Sequence, residues 1–312
     1  MELSSATTEM LSRAWAVRMQ NFPPQIEFDY PAATEVVSLT GKHCALDCAH
    51  CGGHYLQNMK SVAELGLACS RNEPERNCSD KSKQNRGWQQ EAGRVKSRLI
   101  SGGCTVEGKV PFIQHLPLLE KWKQGTRLNF HVGLLNKAEV ERLKDLATVV
   151  SFDFVCDDAT IQEVFGTGQK GADYLRTYRL LRQRVKVLPH ICIGLKGGQL
   201  AGEYRALDLL GQEGVDGLVF IVFIPTPGTR YAAKSPPPFE EVVKLLAEAR
   251  IRFPDKPIFL GCMRPKGRYR LLLDMAAVQC GVNKIVMPAE GAVKLAGTLG
   301  LEVIRGEECC AL

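Results

Sequence analysis

The sequence predicts one α/β domain over residues 1–312, a single (β/α)8 TIM-type barrel, full or nearly full. Three observations carry this. Short apolar runs of strand length alternate with amphipathic helical stretches, the pattern of a parallel sheet buried on both faces. Eight such units fit in roughly 270 residues, the usual size of a closed barrel. No linker divides the chain, and no internal repeat is present beyond the β/α unit itself. An open six-strand partial barrel with a small C-terminal extension is the alternative.

Residues 4–20 form the first predicted helix, capped by Ser4 or Ser5, with Leu11, Ala14, Trp15 and Met19 on one face. Phe22-Pro23-Pro24 ends it, and residues 27–31 are extended. Residues 1–33 thus lead into the first strand, 34–40. A cysteine loop follows, then a helical stretch over 54–67. Residues 69–97 form a basic insertion that holds almost no aliphatic side chains. It cannot bury enough apolar area to order itself strongly. Cys69 and Cys78 within it read as surface thiols. Strands are then expected at 98–101, 127–132, 149–155, 185–193, 217–224, 257–260 and 283–287. Helices lie between and after them at 113–123, 137–146, 172–184, 200–213, 239–253 and 269–280. Residues 301–312 are a cysteine-bearing tail.

Of the 312 residues, 45% are hydrophobic and 24% charged, so the chain buries a full core. A net charge of +6 is too weak to argue for nucleic acid. The sequence shows no apolar leader and no membrane-length apolar run, which gives the expectation of a cytoplasmic protein. Twelve cysteines without a secretion signal fit a reducing compartment, where thiols stay free for metals.

In a parallel barrel the chemistry lies at the carboxyl ends of the strands. After the first strand come Cys44, Cys48 and Cys51 in a C-x3-C-x2-C spacing. Three thiols in one short loop can hold an iron–sulfur cluster with one iron left open. The competing reading is a zinc knuckle with His43, His50 or His54 as fourth ligand. The second strand ends in Gly102-Gly103-Cys104, glycines that let the backbone approach a ligand closely. His131, after the third, reads equally as a core or a site histidine. Asp153, on the fourth, is a charge that needs a partner, with a ribose or an Arg the natural candidates. Cys262 lies among Arg264, Lys266, Arg268 and Arg270, cations expected to lower its pKa. Cys309 and Cys310 are poor core filler beside a chain end. They are expected to fold back over the barrel mouth to Cys262, with Cys104 a possible further ligand of a second cluster. Cys156 and Cys280 read as small core residues.

The C-x3-C-x2-C loop at the tip of a first strand resembles the radical S-adenosylmethionine (SAM) superfamily. The resemblance implies a [4Fe-4S] cluster on Cys44, Cys48 and Cys51 that binds SAM and cleaves it to a 5′-deoxyadenosyl radical. His50 stands where that family carries an aromatic residue. Gly102 and Gly103 match the turn that receives the SAM amino group, with Cys104 in place of an acid. The G-x-I-x-G-type strand ending at Gly194, and the strand end at Ile224, would border the nucleotide. F-D-Y-P, C-A-x-x-C-A-H-C-G-G-H-Y-L, S-G-G-C, H-I-C-I-G-L, G-C-M-R-P-x-G-x-Y-R and the E-x-C-C end resemble most the two-protein lipoyl synthases of the biotin synthase-like branch.

That resemblance implies sulfur insertion into an octanoyl chain on a lipoyl-carrier protein, with Cys262 and Arg264 in the chemistry. An auxiliary [4Fe-4S] cluster on Cys262, Cys309 and Cys310 would be the sulfur donor. The implied partners are a second lipoyl synthase subunit and an electron donor such as ferredoxin, with no nucleic acid or membrane. Biotin-type or cofactor-maturation chemistry on the same scaffold, and a non-catalytic iron–sulfur carrier, are the rival readings.

Overall fold

All eleven strands of the sheet pair in parallel along a single curl, so the helices between them can lie on its outside. The computed structural model describes residues 3–65 and 95–312. Most of the basic insertion, with Cys69 and Cys78, lies outside them.

The strands are β1 (Gln25–Asp29), β2 (Thr34–Ser38), β3 (Lys60–Ser61), β4 (Ser97–Ser101), β5 (Arg127–Phe130), β6 (Val149–Asp153), β7 (Val187–Ile193), β8 (Leu218–Val222), β9 (Ile258–Leu260), β10 (Lys284–Val286) and β11 (Glu302–Gly306). Their order across the sheet is β11-β1-β10-β9-β8-β7-β6-β5-β4-β2-β3, all parallel. The TIM-type α/β barrel is present in this curled form. β1 pairs near one edge and β2 near the other, yet only residues 30–33 separate them in the chain. One extended run therefore ties the two flanks of the curl together.

Period-2 alternation decides what faces each way. Val37, Ile100, Phe130, Phe152, Ile191, Phe220 and Leu260 point outward into a dry layer beneath the helices. The other face carries Ser38, Asn129, Ser151, Asp153, His190 and Cys192, which line the interior of the curl. The covering helices among the described residues are α1 (Ser5–Asn21), α2 (Leu116–Lys123), α3 (Lys137–Leu143), α4 (Asp158–Phe165), α5 (Gly171–Arg182), α6 (Glu203–Glu213), α7 (Phe239–Arg252), α8 (Arg268–Gln279) and α9 (Glu290–Thr298). None is long and apolar enough to cross a membrane.

All eight expected strands are present. Three more, β1, β3 and β11, are short or edge strands whose pairing comes from distant segments. Residues 54–61 depart from the expected helix: a 3-10 turn (His54–Asn58) leads into β3, residues 62–65 are helical, and residues 66 and 67 of the expected helix lie outside the described residues. Asp157 caps α4, accepting from Thr160 N at 2.8 Å, and Gly166 ends that helix in the left-handed region. In α1 the cap is Ser4, and the buried stripe is Thr7, Leu11, Ala14 and Arg18. Met19 is 41% exposed, so the apolar face lies one residue away from the expected one. Arg18 takes the inward place because its guanidinium reaches Gln25 O.

Candidate metal and cofactor site

The cysteine loop leaves β2 and is pinned at Ala49, which is fully buried. Ala49 N donates to Val164 O at 2.7 Å, and Ala49 O accepts from Tyr231 N at 3.0 Å. Those two bonds tie the loop to the end of α4 and to the segment after β8. On its other side the Gly102-Gly103 turn lies flat against it. A Cβ on Gly103 would overlap His43 O and come within 2.7 Å of Cys44 Cβ, so only glycine fits. Ala45 N donates to Cys104 O at 2.8 Å, and Cys104 N points at Cys44 Sγ at 3.3 Å.

Cys48 is buried; Cys44, Cys51 and Cys104 are half-buried beside it. The Cys48 thiol donates to Cys51, which raises the Cys48 pKa, and burial and the charges of Cys51, Cys44 and Cys104 raise it further. The same bond lowers Cys51 to about 7 against its burial, with Gly53 N–H helping. Burial pushes Cys104 to about 12, aided by Cys44, Asp153 and Cys51. Neighbouring thiols thus oppose the ionisation of Cys48 and Cys104 in a small space, a conflict that a cationic metal centre removes. Among the described residues no group of three or more His, Cys, Asp or Glu side chains is arranged to hold a single metal ion. Three thiols from one pinned loop, one of them with a lowered pKa, fit the donor set of an iron–sulfur cluster.

Below this loop the interior carries a polar layer. His131 Nε2 and Asp153 Oδ2 are 2.9 Å apart, and the His131 ring stacks on His190 at 6.2 Å between centroids. Burial opposes the charge on Asp153, but His131, then His190 and His50, outweigh it and hold Asp153 at about 2. Burial also lowers His131, yet Asp153 leaves it net raised. Burial drives His50 and His190 down to about 4 against the pull of Asp153. His50 Nδ1 and Asp153 Oδ1 are buried with no hydrogen-bond partner in the protein. Both are polar atoms a bound nucleotide could satisfy.

The contribution of the His131–Asp153 pair has a pH window. The raised His131 contributes below its ordinary 6.5 and loses that contribution as pH rises through its folded pKa. The lowered Asp153 contributes above its ordinary 3.8 and loses it as pH falls through about 2. Asp153→Asn removes the partner that lifts His131, so its ring should titrate below 6.5 rather than above. Histidine ring NMR across pH 4–9 checks this, and an unmoved His131 would break the assignment.

The tail forms the floor. Lys96 Nζ pairs with Glu307 at 2.6 Å and Arg127 with Glu308, both at the amino-terminal ends of strands. Cys309 N then donates to Thr34 Oγ1 at 2.9 Å. Ala311 seals an apolar layer with Val149, Leu188 and Val219. The tail therefore enters the curl from beneath and does not fold over the mouth as expected, because its two acids find their cations on the amino-terminal side. Cys309 accepts from Asn129 Nδ2 at 3.2 Å, and Cys310 Sγ lies 3.6 Å from His190 Nε2. Burial raises both tail thiols, and Cys262 is close enough that its charge raises them further. Cys262 thus acts electrostatically on both tail thiols. Cys104 is not with them; it belongs to the Cys44 group.

Two further expectations fail on charge. Cys262 keeps accessible surface yet is surrounded by protein, and that burial raises its pKa even though Arg264 and Arg270 act to lower it. Arg264 is wholly buried, and its five N–H groups are spent. They go to Asp274 (2.6 and 2.8 Å), Gly261 O (2.6 Å), Val286 O (2.9 Å) and Met287 O (3.2 Å). It has no donor left for a substrate, so the catalytic role expected for it is not open to it. Gly194, at φ +75°, packs on Pro237 and donates to Glu203 at 2.8 Å, and Ile224 is half-buried just after β8. His190 lay outside the expected site residues. The signal for it was its place opposite Asp153 in strand register.

No family model matches the chain, and no curated protein matches it. Solved structures do. Methylornithine synthase (PylB) superimposes with a TM-score of 0.64 at 15% identity, over 98% of this chain and 91% of that one. The FeFe-hydrogenase maturase HydG from Carboxydothermus hydrogenoformans gives a TM-score of 0.64 at 14% identity, over 97% of this chain and 73% of that one. The chain shares the fold of these two enzymes. At such identity the likeness is one of fold, and the chemistry has to be argued from the residues themselves.

Proposed function

We propose that this protein is a radical SAM enzyme, and that it inserts sulfur into an octanoyl chain borne by a lipoyl-carrier protein. A second lipoyl synthase subunit and a ferredoxin-like electron donor are its proposed partners. One observation supports the reading above the others. The tail thiols meet the His131–Asp153–His190 layer, Cys310 Sγ lying 3.6 Å from His190 Nε2, with Cys262 acting electrostatically on both, while Cys44, Cys48 and Cys51 share the loop at the other end of the sheet.

Cys44, Cys48 and Cys51 would hold a [4Fe-4S] cluster that binds SAM, and the lower thiols a second [4Fe-4S] cluster. When bound, the upper group would supply radical chemistry for hydrogen abstraction, and the lower one would supply the sulfur. The protein's own contribution is position and dryness. His50 Nδ1 and Asp153 Oδ1 offer polar contacts to the nucleotide, and the Gly102-Gly103 turn allows it close backbone approach. Val149, Leu188, Val219 and Ala311 close the floor against solvent-borne hydrogen-atom donors and reductants, which would otherwise quench carbon radicals.

Anaerobic reconstitution with iron and sulfide, followed by incubation with SAM and an octanoyl-lysyl peptide, tests this. About eight irons per chain and formation of 5′-deoxyadenosine are expected, with about four irons left in Cys262→Ala. About four irons in both proteins would remove the sulfur-donor role. Iron without SAM cleavage would make the protein a carrier instead.

A further inference from the structure

We propose that His190 is the non-thiolate ligand of the metal centre at Cys262, Cys309 and Cys310, binding iron through Nε2. The inference rests on the sulfur-donor reading above and adds a residue to it. His190 Nδ1 lies 3.0 Å from Leu188 O, a carbonyl that only accepts, so Nδ1 carries the ring proton. Nε2 is left with its lone pair, and it faces Cys310 Sγ at 3.6 Å. An imidazole held by a backbone carbonyl on one nitrogen, with the other aimed at a thiol, has the outer-shell arrangement of a metal-bound histidine.

The neighbouring groups are already committed. His131 Nε2 is engaged by Asp153, and its ring serves as the plate against which His190 stacks. Arg264, the cation nearest to Cys262 in sequence, has no donor free. Asn129 Nδ2 orients Cys309. His190 itself is 8% exposed on a strand paired on both sides, opposite Asp153 and Val219. It is held on a rigid element, as a ligand has to be. On loading, the Cys310 thiol loses its proton to solvent and the Nε2 lone pair turns from that thiol to iron. Nδ1–H stays on Leu188.

The test uses the full chain with Cys44, Cys48 and Cys51 replaced by Ala, so that only the lower centre loads. The protein is labelled with 15N-histidine, reconstituted anaerobically, reduced with dithionite and examined by pulsed EPR. About four irons and a directly bonded 15N coupling are expected, the coupling lost on adding His190→Gln and kept on adding His131→Gln. Iron without that coupling, or a coupling that survives His190→Gln, overturns the ligation and leaves the sulfur-donor reading standing. No iron overturns both. Should the triple variant fail to fold, the difference spectrum between labelled wild-type protein and His190→Gln alone decides the same question with the upper loop intact.

Discussion

Arg264→Ala is expected to lower the unfolding free energy by about 3–5 kcal/mol, the cost of breaking a buried ion pair by removing one partner. Arg264 and Asp274 are both fully inaccessible and meet through two parallel bonds of 2.6 and 2.8 Å. The substitution leaves the Asp274 carboxylate with the Ala289 N–H at 2.8 Å and Arg270 at 3.9 Å. It also strips donors from the carbonyls of Gly261 and Val286. Met287, the one non-glycine residue with positive φ among the described residues (51°), loses one of the two guanidinium groups that hold its carbonyl. Arg264→Lys should recover only part of the loss, since one ammonium cannot span five separated acceptors. Urea denaturation of the three proteins measures this. A loss below about 1 kcal/mol for the alanine variant would show that Arg264 does not hold the β9 and β10 ends together.

The second large effect is expected at the cysteine loop. Replacing Cys44, Cys48 or Cys51 with Ala should drop reconstituted iron from about eight to about four per chain and reduce 5′-deoxyadenosine to background. Cys156→Ala and Cys280→Ala are the matched controls. Both thiols are buried in the core, where Cys156 donates to Gly202 O and Cys280 to Val243 O, so these variants lose a little packing and keep all their iron. SAM cleavage surviving in Cys48→Ala would sink the proposed function outright. Because the loop is pinned at Ala49 rather than at the thiols, the variants should still fold, and circular dichroism can establish this before iron is counted.

Much of the interior was legible before any coordinates. Asp153 and Ser151 share a face, as do His190 and Cys192, because strand geometry alternates side chains whatever the partner strands are. The expected strands emerged for a related reason: each is an apolar run between turn signals. Edge strand β11 and helix α9 escaped because neither carries such a pattern. Their burial comes from β1 and from α8, far away in sequence. Arg264 misled for the opposite reason. A cation beside a thiol looks like chemistry, and only its distant acceptors Asp274, Val286 and Met287 reveal that it is spent.

The amino-acid order by itself determined the parallel α/β architecture and the three-thiol loop, since periodicity and short-range spacing are local properties of the chain. It also marked the tail thiols as unusual. The direction from which the tail enters, the separation of Cys104 from Cys262, and the meeting of Cys310 with His190 were decided by tertiary structure alone. Each depends on which strands become neighbours around the curl, and on where Glu307 and Glu308 find Lys96 and Arg127. The two ion pairs join residues up to 211 positions apart, a range over which no local pattern carries information.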